Sequence, residues 1–328
     1  MKVLVTGGLG FIGSNFILNI LQNNPNYTVT NIDAELTGSN LANLEELNNS
    51  HNYRYVKGNI TNKILMEKLI EQNDCIINFA AESFVDRSIL DANQFLVSNI
   101  RGTYTILEIL RTQKKRLVQI STDEVFGSLK EGSADEKSRF NPSNPYAATK
   151  ASAELLVNSY VNTYDLDCVI TRCTNNYGPR QFFEKLIPKT IVLANQNKKI
   201  PIYGNGKNIR DWIYVDDHCE AIFKVLLDGE QGESYNISSN NEVDNLSIVK
   251  KILELLNKPF DLIEFVTDRP GHDLRYSLNS SKIQNSLKWN TKTTFNDGLQ
   301  KTIEWIINNS KGENISENTL SSSPWKNS

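Results

Sequence analysis

Thr122, Asp123 and Glu124 stand in line directly after the apolar run Leu117-Val118-Gln119-Ile120 and Ser121. A hydroxyl beside two adjacent carboxyls suits a reaction that needs one acid and one base. Neighbouring carboxyls resist ionising together, so one tends to keep its proton while the other gives it up. Successive side chains on a regular strand face opposite ways. Asp123 and Glu124 therefore serve one pocket only if the strand Leu117–Ile120 has ended and the backbone has begun to turn. Further along, Tyr146 and Lys150 are four residues apart, on one face of a helix entered through Asn141-Pro142-Ser143-Asn144-Pro145. A cationic lysine beside a phenol of reference pKa about 10 favours the phenolate. Such a phenolate takes the proton of an alcohol while hydride leaves for a nicotinamide.

The elements that must carry these groups are legible upstream. Lys2-Val3-Leu4-Val5-Thr6 reads as a strand buried on both faces. It runs into Gly7-Gly8-Leu9-Gly10-Phe11-Ile12-Gly13, and Phe16, Ile17, Ile20 and Leu21 then recur at helical spacing. Gly7, Gly10 and Gly13 (or Gly8, Gly10 and Gly13) give the tight turn and close backbone approach that a pyrophosphate needs, with Phe11 and Ile12 at the helix N-terminus facing it. Asp33 lies 20 residues beyond Gly13, at the end of the next strand, placed to accept from the ribose hydroxyls. No Arg follows it closely, which favours NAD over NADP.

Alternation continues through a strand at Tyr53–Val56, a helix at Ile64–Ile70, a strand at Cys75–Phe79, a long helix at Phe95–Leu110 and a strand at Leu166–Cys173. The small residues Ala80 and Ala81 would let the cofactor lie close to the backbone. Repeated β-α units predict an α/β fold, a doubly wound, Rossmann-like parallel sheet. After Cys173 the texture changes. Asn175–Pro179 reads as a loop, Phe183–Pro188 leads into a helix, Pro201–Gly206 reads as a turn, and a helix runs from His218 to Leu227. The expected organisation is an NAD-binding domain over 1–173, a smaller, partly interleaved C-terminal lobe over 174–307 for the substrate, and a disordered tail over 308–328.

Composition excludes several classes. The 328 residues carry a net charge of −3, so there is no basic excess for nucleic acid. No apolar run reaches the length of a membrane span, and Met1–Val5 is not a secretory signal. The four cysteines form no CxxC pair and only three histidines are present, so no metal site is expected. The thiols read as reduced in a cytoplasmic protein.

The glycine motif with Tyr146-x-x-x-Lys150 resembles the extended short-chain dehydrogenase/reductase superfamily. The finer resemblance is to nucleotide-diphosphate-sugar 4,6-dehydratases, above all the dTDP-glucose 4,6-dehydratases. It rests on Ala80–Ser83 with Val85–Ile89, Ser121–Val125, Asn175–Pro179, Glu184–Pro188, Ile209–Trp212 and Asp268–Asp273. The resemblance implies NAD as cofactor and a reaction in three steps. Tyr146, its pKa lowered by Lys150, takes the C4 hydroxyl proton as hydride passes to NAD, with Thr122 bonding the same region. Glu124 then removes the C5 proton while Asp123 protonates the departing C6 hydroxyl, and hydride returns to C6.

By the same resemblance Asn59 and Ile60 lie near the adenine, the Asn59 amide oxygen accepting a hydrogen bond. Ser83, Asn175, Glu184, Lys185, Leu186, Arg210 and Asn240 hold the nucleotide sugar, and Tyr203 packs near the base. Asn78 and Phe84 replace histidines usual in the glucose enzymes, so the favoured substrate, dTDP-glucose, is followed closely by UDP-N-acetylglucosamine. A homodimer through Asp91–Leu110 and Tyr146–Tyr164 is implied as well. Two rivals remain. A 4-epimerase shares the Tyr and Lys but generally lacks the acid pair, and a non-catalytic NAD(H)-sensing protein has no need of either.

Overall fold

Val3 and Val5 pack into one apolar layer and Leu4 into the other, all three wholly buried. Leu117 and Val118 divide in the same way. Near-continuous apolar runs thus become strands covered on both faces. The computed structural model describes residues 1–309. Its main sheet has seven strands, all parallel, in the order β3-β2-β1-β4-β5-β6-β10. These are β1 (Lys2–Thr6), β2 (Thr28–Asp33), β3 (Tyr53–Lys57), β4 (Cys75–Asn78), β5 (Arg116–Thr122), β6 (Cys168–Cys173) and β10 (Ser234–Ile237). The order reverses between β1 and β4, and in such sheets the crevice for a ligand opens there, beyond the carboxyl ends of the strands.

The remaining strands are β7 (Asn175–Tyr177), β8 (Ile200–Tyr203), β9 (Ile209–Tyr214), β11 (Glu242–Asp244) and β12 (Ile263–Val266). They form a three-stranded sheet, β11-β9-β7, and a parallel pair, β12-β8. The helices Leu186–Asn195, Asn245–Leu255 and Phe295–Asn309 cover them through a separate apolar cluster around Ile191, Trp212 and Ile252. β10 comes from this later part of the chain yet completes the main sheet beside β6.

Several boundaries differ from the sequence reading. Ser121 and Thr122 stay on β5 because they pair with Arg172 and Cys173, so the turn begins at Asp123. Asn175–Tyr177 is a strand, not a loop, paired with Trp212–Tyr214. Pro201–Tyr203 is a strand too, and the turn starts at Gly204, where φ is +56°. The long helix expected from Phe95 contains a π-helical stretch, Leu96–Arg101, before Gly102–Gln113. That widened turn carries Asn99, whose amide bonds the Glu82 backbone in both directions and Thr149 of the helix Pro145–Tyr164. Asn308 and Asn309 end the last helix, and the rest of the expected tail, 310–328, lies outside the described residues.

Candidate active site

β5 ends in Thr122, whose Oγ1 accepts from the Glu124 amide and caps a single 3-10 turn, Asp123–Phe126. The turn lets two consecutive carboxyls face one cleft. Asp123 is 4% exposed, and one of its oxygens, Oδ2, is buried with no hydrogen-bond partner. Its other oxygen accepts from Thr122 Oγ1 at 3.1 Å. Burial first, and then the charge of Glu124, push its pKa up to about 8. An ionised oxygen in a dry place without a donor is costly, so Asp123 holds its proton at neutral pH. Glu124 differs. Its Oε2 accepts from Asn144 Nδ2 at 3.2 Å, and the hydroxyl of Tyr276 lies 3.4 Å away. Asn144 is the N-cap of the helix Pro145–Tyr164 (its Oδ1 accepts from the Ala147 amide), with Pro145 in the first turn. One capping residue therefore sets the helix that presents Tyr146 and Lys150 and also holds Glu124.

Tyr146 and Lys150 line the same cleft as the acid pair. The electrostatics between them differ from the sequence expectation. Lys150 Nζ donates to the Ile120 carbonyl at 2.6 Å, and burial lowers its pKa to about 8. The Tyr146 phenol is pushed well above its usual value, first by burial and then by Glu124, with Thr122 opposing through a hydrogen bond. Lys150 gives one of its three ammonium hydrogens to a backbone carbonyl, and burial with the charge of Glu124 keeps the proton on Tyr146.

Two contiguous cavities meet here, of about 300 and 190 Å³. The larger is lined by Gly7, Gly10, Phe11, Ile12, Gly13, Asp33, Asn59, Ile60, Ala80 and Ala81. Thr122, Asp123, Glu124, Tyr146, Lys150 and Ser83 line it too. The cradle is built for a close-lying group. Gly7 has φ +70°, and a Cβ there would lie 2.7 Å from the Ala80 backbone. A Cβ on Gly13 would lie 2.6 Å from the Gly7 carbonyl. Gly8 is not in the cavity wall; its amide donates to Asn31, so the working triplet is Gly7, Gly10 and Gly13. Phe11, Ile12 and Gly13, in the first turn of the helix Phe11–Asn23, line the cavity, and first-turn amides lack intrahelical acceptors and suit a pyrophosphate. Asp33 accepts from the Leu9 and Glu35 amides and from Ser39 Oγ, which fixes the carboxylate at the cavity edge. These residues fit NAD. Asn59 needs a correction: its Oδ1 already accepts from both the amide and hydroxyl of Thr61 at 2.9 Å. Both lone pairs are used, so Asn59 offers an adenine its NH₂ donors and not its oxygen.

The smaller cavity contains Glu184, Leu186, Tyr203 and Arg210, and shares Asn175, Lys185, Glu124 and Phe84 with the larger. Asn240 borders neither. It sits at φ +56° in a turn whose amide donates to Asp211, so the expectation for Asn240 is not met. Asn78 is also outside, 1% exposed and bonded to Thr6 and Gln119 beneath the floor. Phe84, in contrast, stands at the junction, with Lys185 Nζ 4.7 Å from its ring centre and Phe182 at 5.4 Å. The sequence reading missed Lys189, Asn245, Arg269, His272 and Tyr276, which complete the wall. Arg269 pairs with Asp86 at 3.1 Å, and Arg210 stacks on Tyr276 at 4.3 Å while donating to the carbonyls of Ile209, Asp273 and Leu274. The Asp268–Asp273 stretch was visible as a motif, and its clustered Arg and His next to a Pro-Gly turn were the available signal.

The sequence profile of the GDP-mannose 4,6 dehydratase family matches residues 4–302. The chain belongs to this family. It is 46% identical to the low-salt glycan biosynthesis protein Agl12 of Haloferax volcanii, over 94% of this chain and 99% of that protein. It is 44% identical to the dTDP-glucose 4,6-dehydratase of Streptomyces niveus, over 94% of each. The crystal structure of the dTDP-glucose 4,6-dehydratase of Streptomyces venezuelae, with NAD and dTDP bound, superposes with a TM-score of 0.93 at 41% identity, covering 95% of this chain and 98% of that one. Among the described residues no helix is long and apolar enough to cross a membrane, and all four cysteines are buried and free.

Proposed function

We propose that this dehydratase acts on a nucleotide-diphosphate hexose, dTDP-glucose first, and converts it to the 4-keto-6-deoxy sugar by NAD-dependent oxidation at C4, loss of water across C5 and C6, and reduction at C6. The observation that carries the reading is the buried Asp123, its Oδ2 without a hydrogen-bond partner, beside Glu124 in the same cavity as the glycine turn. An epimerase needs no such acid and base, and a sensor of NAD(H) needs neither.

When bound, NAD would supply the hydride acceptor for C4 and the hydride donor for C6. The chain's own residues do the rest. Tyr146 takes the C4 hydroxyl proton, with Thr122 orienting the same oxygen. Lys150, anchored on Ile120, holds a positive charge below that site. The C4 ketone makes the C5 hydrogen acidic, and Glu124 receives it. Asp123 gives its proton to the C6 oxygen, so that water and not hydroxide departs. Lys185, Arg210 and Arg269 suit a diphosphate, since guanidinium forks match phosphate oxygens, and Tyr203 suits the base. On this reading residues 1–173 carry NAD and the reacting groups, and 174–307 mainly hold the nucleotide. The half-exposed Leu96, Tyr104 and Leu155 along the helices after Asn93 and Pro145 support a homodimer. The free thiols support a cytoplasmic location.

The test is incubation of the purified protein with NAD and, in parallel, dTDP-glucose or UDP-N-acetylglucosamine, read by mass spectrometry. A product lighter than its substrate by one water is expected from dTDP-glucose. Dehydration of the N-acetyl sugar alone would reassign the hexose and point to Phe84. Dehydration of neither would refute the proposal.

A further inference from the structure

Glu124 Oε2, the Tyr276 hydroxyl and the Asp273 carboxylate form a line of oxygens that leads out of the cleft. The Tyr276 hydroxyl donates to Asp273 Oδ2 at 2.5 Å, and the exposed Ser143 hydroxyl donates to the same oxygen. Tyr276 has one hydroxyl hydrogen. At 2.5 Å to Asp273 against 3.4 Å to Glu124, that hydrogen is committed to Asp273, and a lone pair of the phenol oxygen faces Glu124. Tyr276 and Asp273 are 2% and 6% exposed, so the line is shielded until it reaches Ser143. Asp273 does not border either cavity, whereas Glu124 borders both. A second buried carboxylate so close to the reaction's base is costly, and among the described residues no cation is bonded to its oxygens. Its partners are the hydroxyls of Tyr276 and Ser143.

We propose that Tyr276, Asp273 and Ser143 are a proton relay that connects Glu124 to solvent during the elimination. The inference rests on the reading of Glu124 as the base at C5. The step balances as follows. Glu124 accepts the proton as the C5–H bond breaks, and the electron pair goes into the C5–C6 double bond as the C6–oxygen bond breaks. A flip of the soft terminal Glu torsion brings the new O–H to the Oε2 side. The proton passes to the Tyr276 oxygen as the Tyr276 proton passes to Asp273, and Asp273 releases one proton to water by way of Ser143. The same path run backwards supplies the proton that C5 regains when C6 is reduced. Asn144 takes no part in the transfer, since its NH₂ donates to Glu124 and only holds the carboxyl in register.

The relay predicts that the hydrogen at C5 of the product comes from solvent. The experiment is turnover of dTDP-glucose in D₂O by the parent protein, Tyr276→Phe and Asp273→Asn, with rapid acid quenching and the deuterium at C5 read by NMR. Incorporation is expected in the parent and a several-fold fall in both variants, with the substrate's own C5 hydrogen returned instead. Asp273→Asn is the sharper variant because Asp273 cannot touch the sugar, and Ser143→Ala serves if either variant fails to fold. A merely structural role would lower kcat without changing the origin of the C5 hydrogen. Parent-like incorporation in the variants, or none in the parent, would overturn the relay. Absence of dehydrated product from both dTDP-glucose and UDP-N-acetylglucosamine with the parent would instead refute the dehydratase reading on which the relay rests.

Discussion

Asp123→Asn removes the proton that the account assigns to the departing C6 oxygen while keeping the shape of the side chain. The amide oxygen still accepts from Thr122, so the 3-10 turn is undisturbed. With a pKa near 8, about nine-tenths of Asp123 is protonated at pH 7 and about one-hundredth at pH 10. Proton donation by a positioned side chain is worth about 10²–10⁴ in rate, which corresponds to about 3–5 kcal/mol in the barrier. The expected result is a loss of kcat in that range for Asp123→Asn. In the parent, kcat holds steady below pH 8 and falls as pH rises through it, because the active form is the protonated one. The assay is initial-rate formation of dehydrated product at saturating dTDP-glucose, with NAD saturating, from about pH 6 to pH 10. Lys150 titrates near the same pH, and the variant separates the two. With Asp123 gone, any remaining fall above pH 8 belongs to Lys150. A variant within about threefold of the parent, well short of the loss expected of a general acid, would refute the argument from burial.

The same carboxyl has a consequence for stability. Its folded pKa of about 8 lies above the ordinary 3.8 of an aspartate, so between those values the folded state binds the extra proton and stability falls as pH rises, by up to about 1.4 kcal/mol per pH unit. Asp123→Asn should therefore flatten the decline of Tm over that window; an unchanged profile contradicts the assigned shift. Gly13→Ala places a methyl 2.6 Å from the Gly7 carbonyl, and isothermal titration should show NAD binding weakened by about tenfold or more, some 1.4 kcal/mol; parent-like affinity would rule out the cradle. Glu154→Gln leaves Arg172 charged and 2% exposed between Phe126 and Phe140. Breaking that buried pair, 2.7 Å apart, should cost about 3–5 kcal/mol in urea unfolding.

Much of the cleft was legible because its parts are local. The glycine turn, the acid 20 residues on and the small residues after β4 each sit beside the strand that presents them, and the parallel order then brings them together. Asp123 and Glu124 lie in one turn for a physical reason, since two adjacent carboxyls cannot share a pocket on an extended strand. What escaped depends on partners far away in sequence. Arg269, His272 and Tyr276 reach the smaller cavity where the segment after Gly271 runs alongside β9, the Ile209 amide donating to the Leu274 carbonyl and the Tyr276 amide to the Ile209 carbonyl. Asn240 was lost to the same cause. Asp211 captures the whole turn from Ser238 to Asn241, so the side chain serves the turn and not the cleft. The direction of the Tyr146 shift is not legible in the sequence, because helical spacing brings Lys150 near the phenol but says nothing of the burial and of Glu124, which push it up. Asn59 shows the same limit on a smaller scale, with Thr61 two residues on claiming the oxygen that an adenine was expected to meet.

The central claim is an internal oxidation and reduction on one sugar, and the label that tests it most directly is deuterium at C4 of dTDP-glucose. The account predicts a dehydrated product carrying that deuterium at C6 of the same molecule, with no net change in the bound nicotinamide. Deuterium returned to C4 would indicate an epimerase, and deuterium left on the nicotinamide beside an oxidised sugar would indicate a simple dehydrogenase. Either result would contradict the dehydratase reading.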